Sequence, residues 1–493
     1  MRHIAFFLDA IRVVYKLFTT LSRADDNLIG QVRHIGSMKY KQFILASVAG
    51  FCVAVSLNFS TFADGAVNST ALRALAEKAV SENPTIASSA MANLRAQGPA
   101  GLEALLSVHA ALILQHEKNW TSSLLGQQVV WQRLQKALNA VSAQHDCSAS
   151  HLYWYTNFDE AKAAAKTSGK PILSLRLLGR LDEEYSCANS RFFRTTLYAN
   201  AEVAQYLRDH FILHWKSVRP VPRITIDFGD GRKIERTITG NSIHYILDAE
   251  GHPIDALPGL YGPKAFLKGL ADAEAAALLF AQVSGNDRTQ GLRQYHSERL
   301  TAIQNSWRKD MLTLGPSETP RTGNLKFVSG SASPTALEAA PRTATKTGVE
   351  LPMLKSFQTA DDATWLRVAA LYANEAALDN SATALIRSKN PTAIEAGRVA
   401  LSKTRVENPL TATLRNLERS IAEDTVRNEY LLHSQIHEWF VNGTVPQDVD
   451  RLNSMVYAKL FLTPDSDPWL GLVPANTFTG LENNGLVQIS RGH

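Results

Sequence analysis

Two short, continuously apolar segments constrain the fold of this chain more than any other feature of its sequence. Pro171–Leu178 and Phe211–Trp215 each have the composition of a strand that is covered on both faces of a sheet. Helical patterns at 191–197 and 201–209 lie between them, as helices lie between parallel strands in a crossover connection. The sequence therefore predicts that these segments are neighbouring parallel strands.

The segment that follows predicts antiparallel pairs. Arg223–Phe228 and Lys233–Ile238 flank Gly229-Asp-Gly231, which is typical of a hairpin turn and is not followed by the Lys-Ser/Thr of a phosphate loop. A strand, a turn, a second strand and a closing helix are predicted at His244–Leu247, Asp248–Gly251, Pro253–Leu257 and Pro263–Ala275. These elements predict an α/β domain over residues 150–275, with a mixed sheet and helices on both faces.

The regions on either side of this domain are predicted to be mainly α-helical. Apolar residues recur at helical spacing in 64–149, in a helical extension over 276–313 and in a C-terminal region over 351–493 that ends in an irregular tail. Residues 314–350 are rich in Ser, Thr, Pro, Gly and Ala. That composition cannot bury a core, so it predicts a flexible linker.

The first 63 residues have the pattern of an upstream extension and an export signal. Met38 is a natural start, Lys39 and Lys41 are basic, and an apolar run of residues 43–57 ends before small residues at Ala63. We therefore expect cleavage near Ala63 and export to the periplasm. The alternative is an inner-membrane anchor over residues 42–57, which is short of the roughly 20 residues that span a bilayer.

Composition excludes several classes of protein. A net charge of +5 over 493 residues, without a dense basic patch, gives no support to nucleic-acid binding. Of three cysteines, Cys52 lies in the predicted signal, so Cys147 and Cys187 allow at most one intramolecular disulfide. The Gly-x-Ser-x-Gly motif of serine hydrolases is absent from the sequence, and we expect no cofactor.

A cysteine lies between the first predicted strand and the helix that follows. The segment is Cys187-Ala-Asn-Ser190, and a cysteine at a helix start faces the positive end of the helix dipole, which favours the reactive thiolate. The acidic run Asp182–Glu184 acts in the opposite direction and raises the thiol pKa.

From Trp154 to Leu270 the chain resembles the thioredoxin-like superfamily. The residues that carry the resemblance are Phe158-Asp-Glu-Ala-Lys, Gly169-Lys-Pro171, Cys187-Ala-Asn-Ser-Arg191, Glu202-Val-Ala, Phe211-Ile-Leu and Leu247-Asp-Ala-Glu-Gly251. The resemblance implies that Cys187 occupies the nucleophilic-thiol position and that Ser190 replaces a resolving cysteine. It also implies a cis-proline at Ser242 or Ile243, and neither residue is proline.

Each residue near Cys187 has more than one interpretation. Cys187 could be a reactive thiol, a partner of Cys147 in a disulfide, or a buried thiol. Ser190 could stabilise a Cys187 thiolate or bond to the main chain in the first helical turn. Arg191 and Arg194 could bind an anionic ligand such as glutathione, although we expect them to pair with Asp182–Glu184.

A pair of histidines in the C-terminal region has the spacing of metal ligands. His433 and His437 lie four residues apart, so they share one helix face. No third ligand is evident from the sequence, and the order is not that of a His-Glu-x-x-His protease. The sequence therefore predicts no metal site.

Two functions of different classes remain. The missing resolving cysteine and cis-proline favour an exported, non-catalytic binding or assembly module that contacts a protein partner through its helical regions. The alternative is a monothiol oxidoreductase in which Cys187 attacks a thiol partner and an external thiol resolves the mixed disulfide. Membrane contact is expected only through an uncleaved signal segment.

Overall fold

The computed structural model describes residues 70–119, 125–237, 240–315, 360–390 and 409–466. The chain divides after Ala71, and the elements below belong to the unit that begins at Leu72. The predicted signal peptide, nearly all of the predicted linker and most of the predicted tail lie outside the described residues. Within the described residues, no helix is both long and apolar enough to cross a membrane.

Among its described residues, the α/β region contains six strands and the helices that connect them. In chain order, the strands are β1 (Ile172–Leu178), β2 (Ile212–Arg219), β3 (Arg223–Asp227), β4 (Lys233–Thr237), β5 (Ser242–Leu247) and β6 (Pro253–Pro258). The helices before this region are α1 (residues 72–79), α2 (Pro84–Ala96), α3 (Pro99–Val108), α4 (Ala110–Asn119), α5 (Leu125–Ser142) and α6 (Cys147–Ser150). The helices within it are α7 (Phe158–Ser168), α8 (Ala188–Phe192), α9 (Ala201–His210) and α10 (Pro263–Phe280).

The α-helices that follow α10 in the described chain range from 8 to 30 residues. They are α11 (Gly285–Leu314), α12 (Asp362–Leu371), α13 (Asn380–Ser388), α14 (Pro409–Arg427), α15 (Ser434–Val441) and α16 (Val449–Lys459). Helices α14 and α15 are joined by the π-helix Asn428–His433, and a second π-helix, Phe193–Leu197, follows α8. Such segments are frequent at functional sites because they re-aim side chains.

Four of the strands form one mixed sheet in the order β2-β1-β5-β6. Strand β2 is parallel to β1, whereas β5 is antiparallel to both β1 and β6. Leu175 of β1 lies opposite Trp215 of β2 and His244 of β5. The prediction of two neighbouring parallel strands is therefore confirmed. Strands β3 and β4 form the predicted hairpin, which is a separate two-stranded sheet.

Helices cover both faces of the four-stranded sheet. On one face, the ring of Phe158 in α7 lies 5.0 Å from that of His214, and the Tyr245 hydroxyl donates to Asn453 of α16 at 3.3 Å. On the other face, the His244 ring lies 4.6 Å from Phe193 and 5.0 Å from Phe266 of α10. An α/β region with a mixed sheet and helical flanks is thus confirmed.

The boundaries of α7 follow from local sequence. The side chain of Asn157 accepts hydrogen bonds from the main-chain N–H groups of Asp159 and Glu160, as an N-cap does. Gly169 ends the helix with φ +73°, in the left-handed region that glycine adopts without strain. The helix therefore ends shortly before Pro171, the residue that precedes β1.

Two groups of buried side chains form the interior. The first extends from the sheet through α10 and α11 to the C-terminal helices, so the α/β region and the C-terminal region share one core. The second lies among helices α1–α6 and includes Leu94, Leu134 and Cys147. The C-terminal helices are therefore part of the covering of the sheet.

Candidate functional site

Cys187 lies at the end of β1, where the sequence places it, but its thiol is enclosed. It is the N-cap residue of α8, and its main-chain N–H donates to the carbonyl of Leu178 at 3.1 Å. The side chain is fully buried. Its Sγ lies 2.8 Å from Oγ of Ser242 and 3.9 Å from the carbonyl oxygen of Asn241.

The C-terminal part of the chain covers the thiol. The hydroxyl of Tyr457, in α16, donates to the carbonyl oxygen of Asn241 at 2.9 Å. The side-chain amide of Asn241 donates to the Thr463 hydroxyl at 3.1 Å. Tyr457 and Thr463 are fully buried as well, so the peptide next to Cys187 is held by groups from the end of the described chain.

Burial sets the protonation of the thiol. It raises the pKa of Cys187, and hydrogen bonds from Ser242 and, to a smaller extent, Ser190 oppose it without reversing the shift. Helix α8 has five residues and continues as the π-helix Phe193–Leu197. The acidic loop is not among the main causes of the shift. A protonated thiol is a poor nucleophile.

Ser190 lies in the first turn of α8. Its hydroxyl donates to the Ser186 hydroxyl and to the carbonyl of Cys187, the latter at 3.4 Å. The hydroxyl nearest to the Cys187 sulfur is that of Ser242, one of the two positions at which the resemblance implies a cis-proline. Among the described residues there is no cis peptide bond.

The two arginines after Cys187 form hydrogen bonds with other parts of the fold. Arg194 is buried, and its guanidinium donates to the main-chain carbonyls of Glu183 and Glu184 at 2.9 and 3.1 Å. Arg191 donates to the Thr237 hydroxyl at 2.8 Å. The expected pairing with the carboxylates of the acidic run is wrong, because the buried guanidinium of Arg194 satisfies the loop's main chain instead.

That acidic run has other partners. Arg180 binds Asp182 at 2.7 Å and Glu183 at 3.4 Å. The carboxylate of Glu184 lies 3.3 Å from His145 and 3.5 Å from Lys389. These ion pairs are partly exposed and are therefore of modest strength.

The two described cysteines are not joined. Cys147 lies in the core of the N-terminal helices, and neither it nor Cys187 is bonded to another described cysteine. Burial raises the pKa of Cys147 to about 12. The disulfide that the sequence allowed is therefore not formed in this structure.

A second candidate site lies between strand β6 and the C-terminal helices. Four fully buried polar residues meet there: Asp255 of β6, His296 of α11, His433 of the π-helix and His437 of α15. His433 Nε2 lies 3.2 Å from Asp255 Oδ1, and His433 Nδ1 lies 2.9 Å from Glu429 Oε2. We call Asp255, His296, His433 and His437 the histidine cluster.

The charges in the histidine cluster shift one another's pKa values. Burial alone would raise the pKa of Asp255, but the neighbouring imidazoles of His437 and His433 outweigh it and hold the pKa well below its usual range. Burial lowers the pKa of His437 and lowers that of His296 to about 4. For His433, the carboxylates of Glu429 and Asp255 overcome burial and raise the pKa to about 9.

A cavity adjoins the histidine cluster. It has a volume of about 110 Å³ and is lined by the polar groups of Tyr261, Lys268, Arg299, Glu375, Glu429 and Tyr430, among others. Glu429 belongs to the cavity wall and also binds His433. Perturbed titratable groups beside a cavity are the usual marks of a functional site.

Sequence reasoning found two members of the histidine cluster and missed two. It placed His433 and His437 on one helix face, and their rings lie 4.1 Å apart. It found no third ligand, whereas the structure brings Asp255 next to them across 178 residues of chain. Asp255 has a sequence signal, because a carboxylate within an otherwise apolar strand needs a buried partner. His296, on a long polar helix, has none.

Comparisons with known proteins do not identify the chain. No family model, curated protein or solved structure matches it. The function must therefore be inferred from the two sites themselves.

Proposed function

We propose that this chain is an exported protein of thioredoxin-like fold whose α/β region is a non-catalytic scaffold for binding or assembly. The observation that carries the proposal is the enclosure of Cys187, which is fully buried, hydrogen-bonded to Ser242 and protonated at neutral pH. A thiol that reacts with a partner disulfide must be exposed as a thiolate.

The sheet topology supports the proposed kind of fold. A parallel pair, β1 and β2, is followed by an antiparallel pair and a closing helix, in the order that the resemblance implies. The cysteine follows β1, also as implied. Ser242, one of the two positions at which the resemblance implies a cis-proline, forms a hydrogen bond with the sulfur. Fold alone does not establish catalysis, and the enclosed thiol supports a scaffold rather than an enzyme.

The scaffold proposal places partner binding on the helical regions. The two faces of the four-stranded sheet pack against α7, the π-helix Phe193–Leu197, α10 and α16, which leaves these faces covered within the described chain. The helical regions expose large apolar side chains, of which Leu279 and Leu312 are 61% and 82% exposed, and the β3–β4 hairpin exposes Phe228. These side chains are accessible to a partner.

Alkylation of the folded chain tests the proposal. Iodoacetamide should modify neither Cys147 nor Cys187 in native buffer and should modify both after denaturation, with mass spectrometry assigning the sites. Cys147→Ser and Cys187→Ser variants provide matched single-thiol controls. Rapid native alkylation that is abolished by Cys187→Ser would refute the scaffold proposal and establish the alternative, a monothiol oxidoreductase acting through Cys187.

A further inference from the structure

We infer that Asp255, His433 and His437 form a binding site for a divalent transition-metal ion of the zinc class. The inference is independent of the proposed scaffold function. It rests on the spacing of the donor atoms, the tautomers that the hydrogen bonds impose and the charge balance of the site.

The donor atoms have the spacing of metal ligands. One donor atom from each of the three residues lies within 4.8 Å of the other two. His433 Nε2 and Asp255 Oδ1 are 3.2 Å apart. Two donors bound to a tetrahedral zinc at ~2.0–2.1 Å are about 3.3 Å apart. An ion therefore fits between them with small adjustments of the side chains.

The hydrogen bonds of His296 determine the tautomer of His437. His296 Nε2 lies 3.0 Å from the carbonyl oxygen of Ile254, which can only accept, so this nitrogen carries a hydrogen. The Nδ1 atom of a neutral His296 is then an acceptor, and it lies 2.7 Å from Nδ1 of His437. His437 must therefore donate from Nδ1.

His437 consequently has a free lone pair on its other nitrogen. Its Nε2 is buried and has no hydrogen-bond partner among the described residues. An unpartnered acceptor in a buried position is costly, and nearby Asp255 is itself an acceptor. A metal ion satisfies both, because a cation accepts electron pairs from imidazole nitrogen and carboxylate oxygen alike.

The other two ligands are held in the orientation that metal binding needs. His433 directs Nδ1 to the Glu429 carboxylate at 2.9 Å, which leaves Nε2 facing Asp255. A carboxylate behind a ligating histidine is the usual arrangement at zinc sites. The second carboxylate oxygen of Asp255 accepts from the Tyr295 hydroxyl at 2.7 Å. Without a metal ion, the contact between Asp255 and His433 holds a proton, and a bound ion would replace it.

The charge around the site favours a divalent cation. The charged side chains that act on the histidine cluster are the carboxylates of Asp255 and Glu429 and the guanidinium of Arg299. With neutral imidazoles, two negative charges and one positive charge leave one net negative charge. Two imidazoles and one carboxylate select zinc-like ions over Mg²⁺ and Ca²⁺, which prefer oxygen.

A second group of possible metal ligands already has a cationic side chain beside it. His145, Asp146 and Glu184 also lie within 4.8 Å of one another through one donor atom each. There the ammonium group of Lys389 lies 2.9 Å from Asp146 and 3.5 Å from Glu184. A metal ion would have to displace this lysine, so His145 provides a matched control.

The proposed ion connects the sheet to the C-terminal helices. Asp255 lies on β6, whereas His433 and His437 lie on the π-helix and α15. Three protein ligands leave one tetrahedral position for water or another group. Because the ligands are fully buried and come from different parts of the chain, the main effect of the ion is to hold these parts together.

Zinc titration of the purified full-length chain, stripped with EDTA, tests the inference. Calorimetry should show about one Zn²⁺ bound per chain, and Zn²⁺ should raise the Tm. Asp255→Asn and His437→Gln should each weaken binding at least ~100-fold, and Glu429→Gln, a change in a positioning residue, by ~10–100-fold. The control His145→Gln should bind zinc like the wild type.

Several results would overturn the inference. One is a stripped wild-type chain that binds no Zn²⁺ at millimolar concentration, and another is unchanged binding by both Asp255→Asn and His437→Gln. If these variants do not fold, Co²⁺ added to the wild type decides. A tetrahedral spectrum without a thiolate charge-transfer band supports the site, whereas a thiolate band would assign the metal to a cysteine.

Discussion

Removal of the Tyr457 hydroxyl should open the route to Cys187 without unfolding the chain. In the structure, this hydroxyl donates to the Asn241 carbonyl at 2.9 Å, next to the Ser242 hydroxyl that binds the thiol. Tyr457→Phe keeps the ring and deletes the one hydrogen bond. A buried hydrogen bond of this kind contributes about 1 kcal/mol net.

The expected change in reactivity follows from that free energy. If Cys187 reacts only when the C-terminal segment opens locally, the alkylation rate is proportional to the open population. A loss of about 1 kcal/mol in the closed state raises this population about fivefold, since 1.4 kcal/mol corresponds to tenfold. Native alkylation of Cys187 should therefore accelerate about fivefold in Tyr457→Phe.

Two internal comparisons separate local opening from global unfolding. Cys147 lies in the other core and should not accelerate. Tyr153→Phe deletes a similar hydrogen bond, from a tyrosine hydroxyl to the Arg95 carbonyl at 3.1 Å, and should leave Cys187 unaffected. Equal acceleration of both cysteines, or no acceleration of Cys187, would show that Tyr457 does not control access to the thiol.

The remaining predictions concern stability. Burial lowers the pKa values of His214 and His244 to about 3, whereas unfolded histidine titrates near 6.5. The unfolded state therefore binds protons first, and stability should fall below about pH 6.5 by up to ~1.4 kcal/mol per pH unit for each histidine. Urea unfolding at several pH values measures this slope, and an unchanged slope in His244→Gln would contradict the assignment. Gly259 and Gly229 have φ angles of +77° and +76°, but a Cβ on Gly259 would lie 2.5 Å from the Asn428 amide, whereas nothing lies within 4 Å at Gly229. Gly259→Ala should therefore lower the Tm more than Gly229→Ala, and equal Tm losses would mean that Asn428 moves without cost.

Local sequence signals predicted the elements of the sheet. The apolar runs at β1 and β2 specified strands covered on both faces, and Gly229-Asp-Gly231 specified the hairpin turn. These features depend on neighbours within a few residues, so they can be read from the sequence. The two π-helices have no comparable signal, because they arise where tertiary packing changes the helical register.

The candidate sites depend on long-range contacts that periodicity does not reveal. Arg176 lies in the apolar run of β1, and its partner is Asp450, 274 residues further along the chain. The sequence indicates that such a residue needs a partner but not which one. The sequence placed Cys187 between β1 and the following helix, but it did not indicate that Tyr457 covers the thiol.

Two buried charged side chains of the sheet pair with residues of the C-terminal region. Arg176 of β1 binds Asp450 of α16 at 3.1 Å, and Asp255 of β6 lies 3.2 Å from His433. Removal of one partner from a buried charge pair leaves an uncompensated charge, which costs more than the pair contributes. The α/β region therefore needs the helices after it, and these helices also enclose the thiol. The C-terminal helices therefore both cover the Cys187 thiol and supply the partners of the buried charges in the sheet.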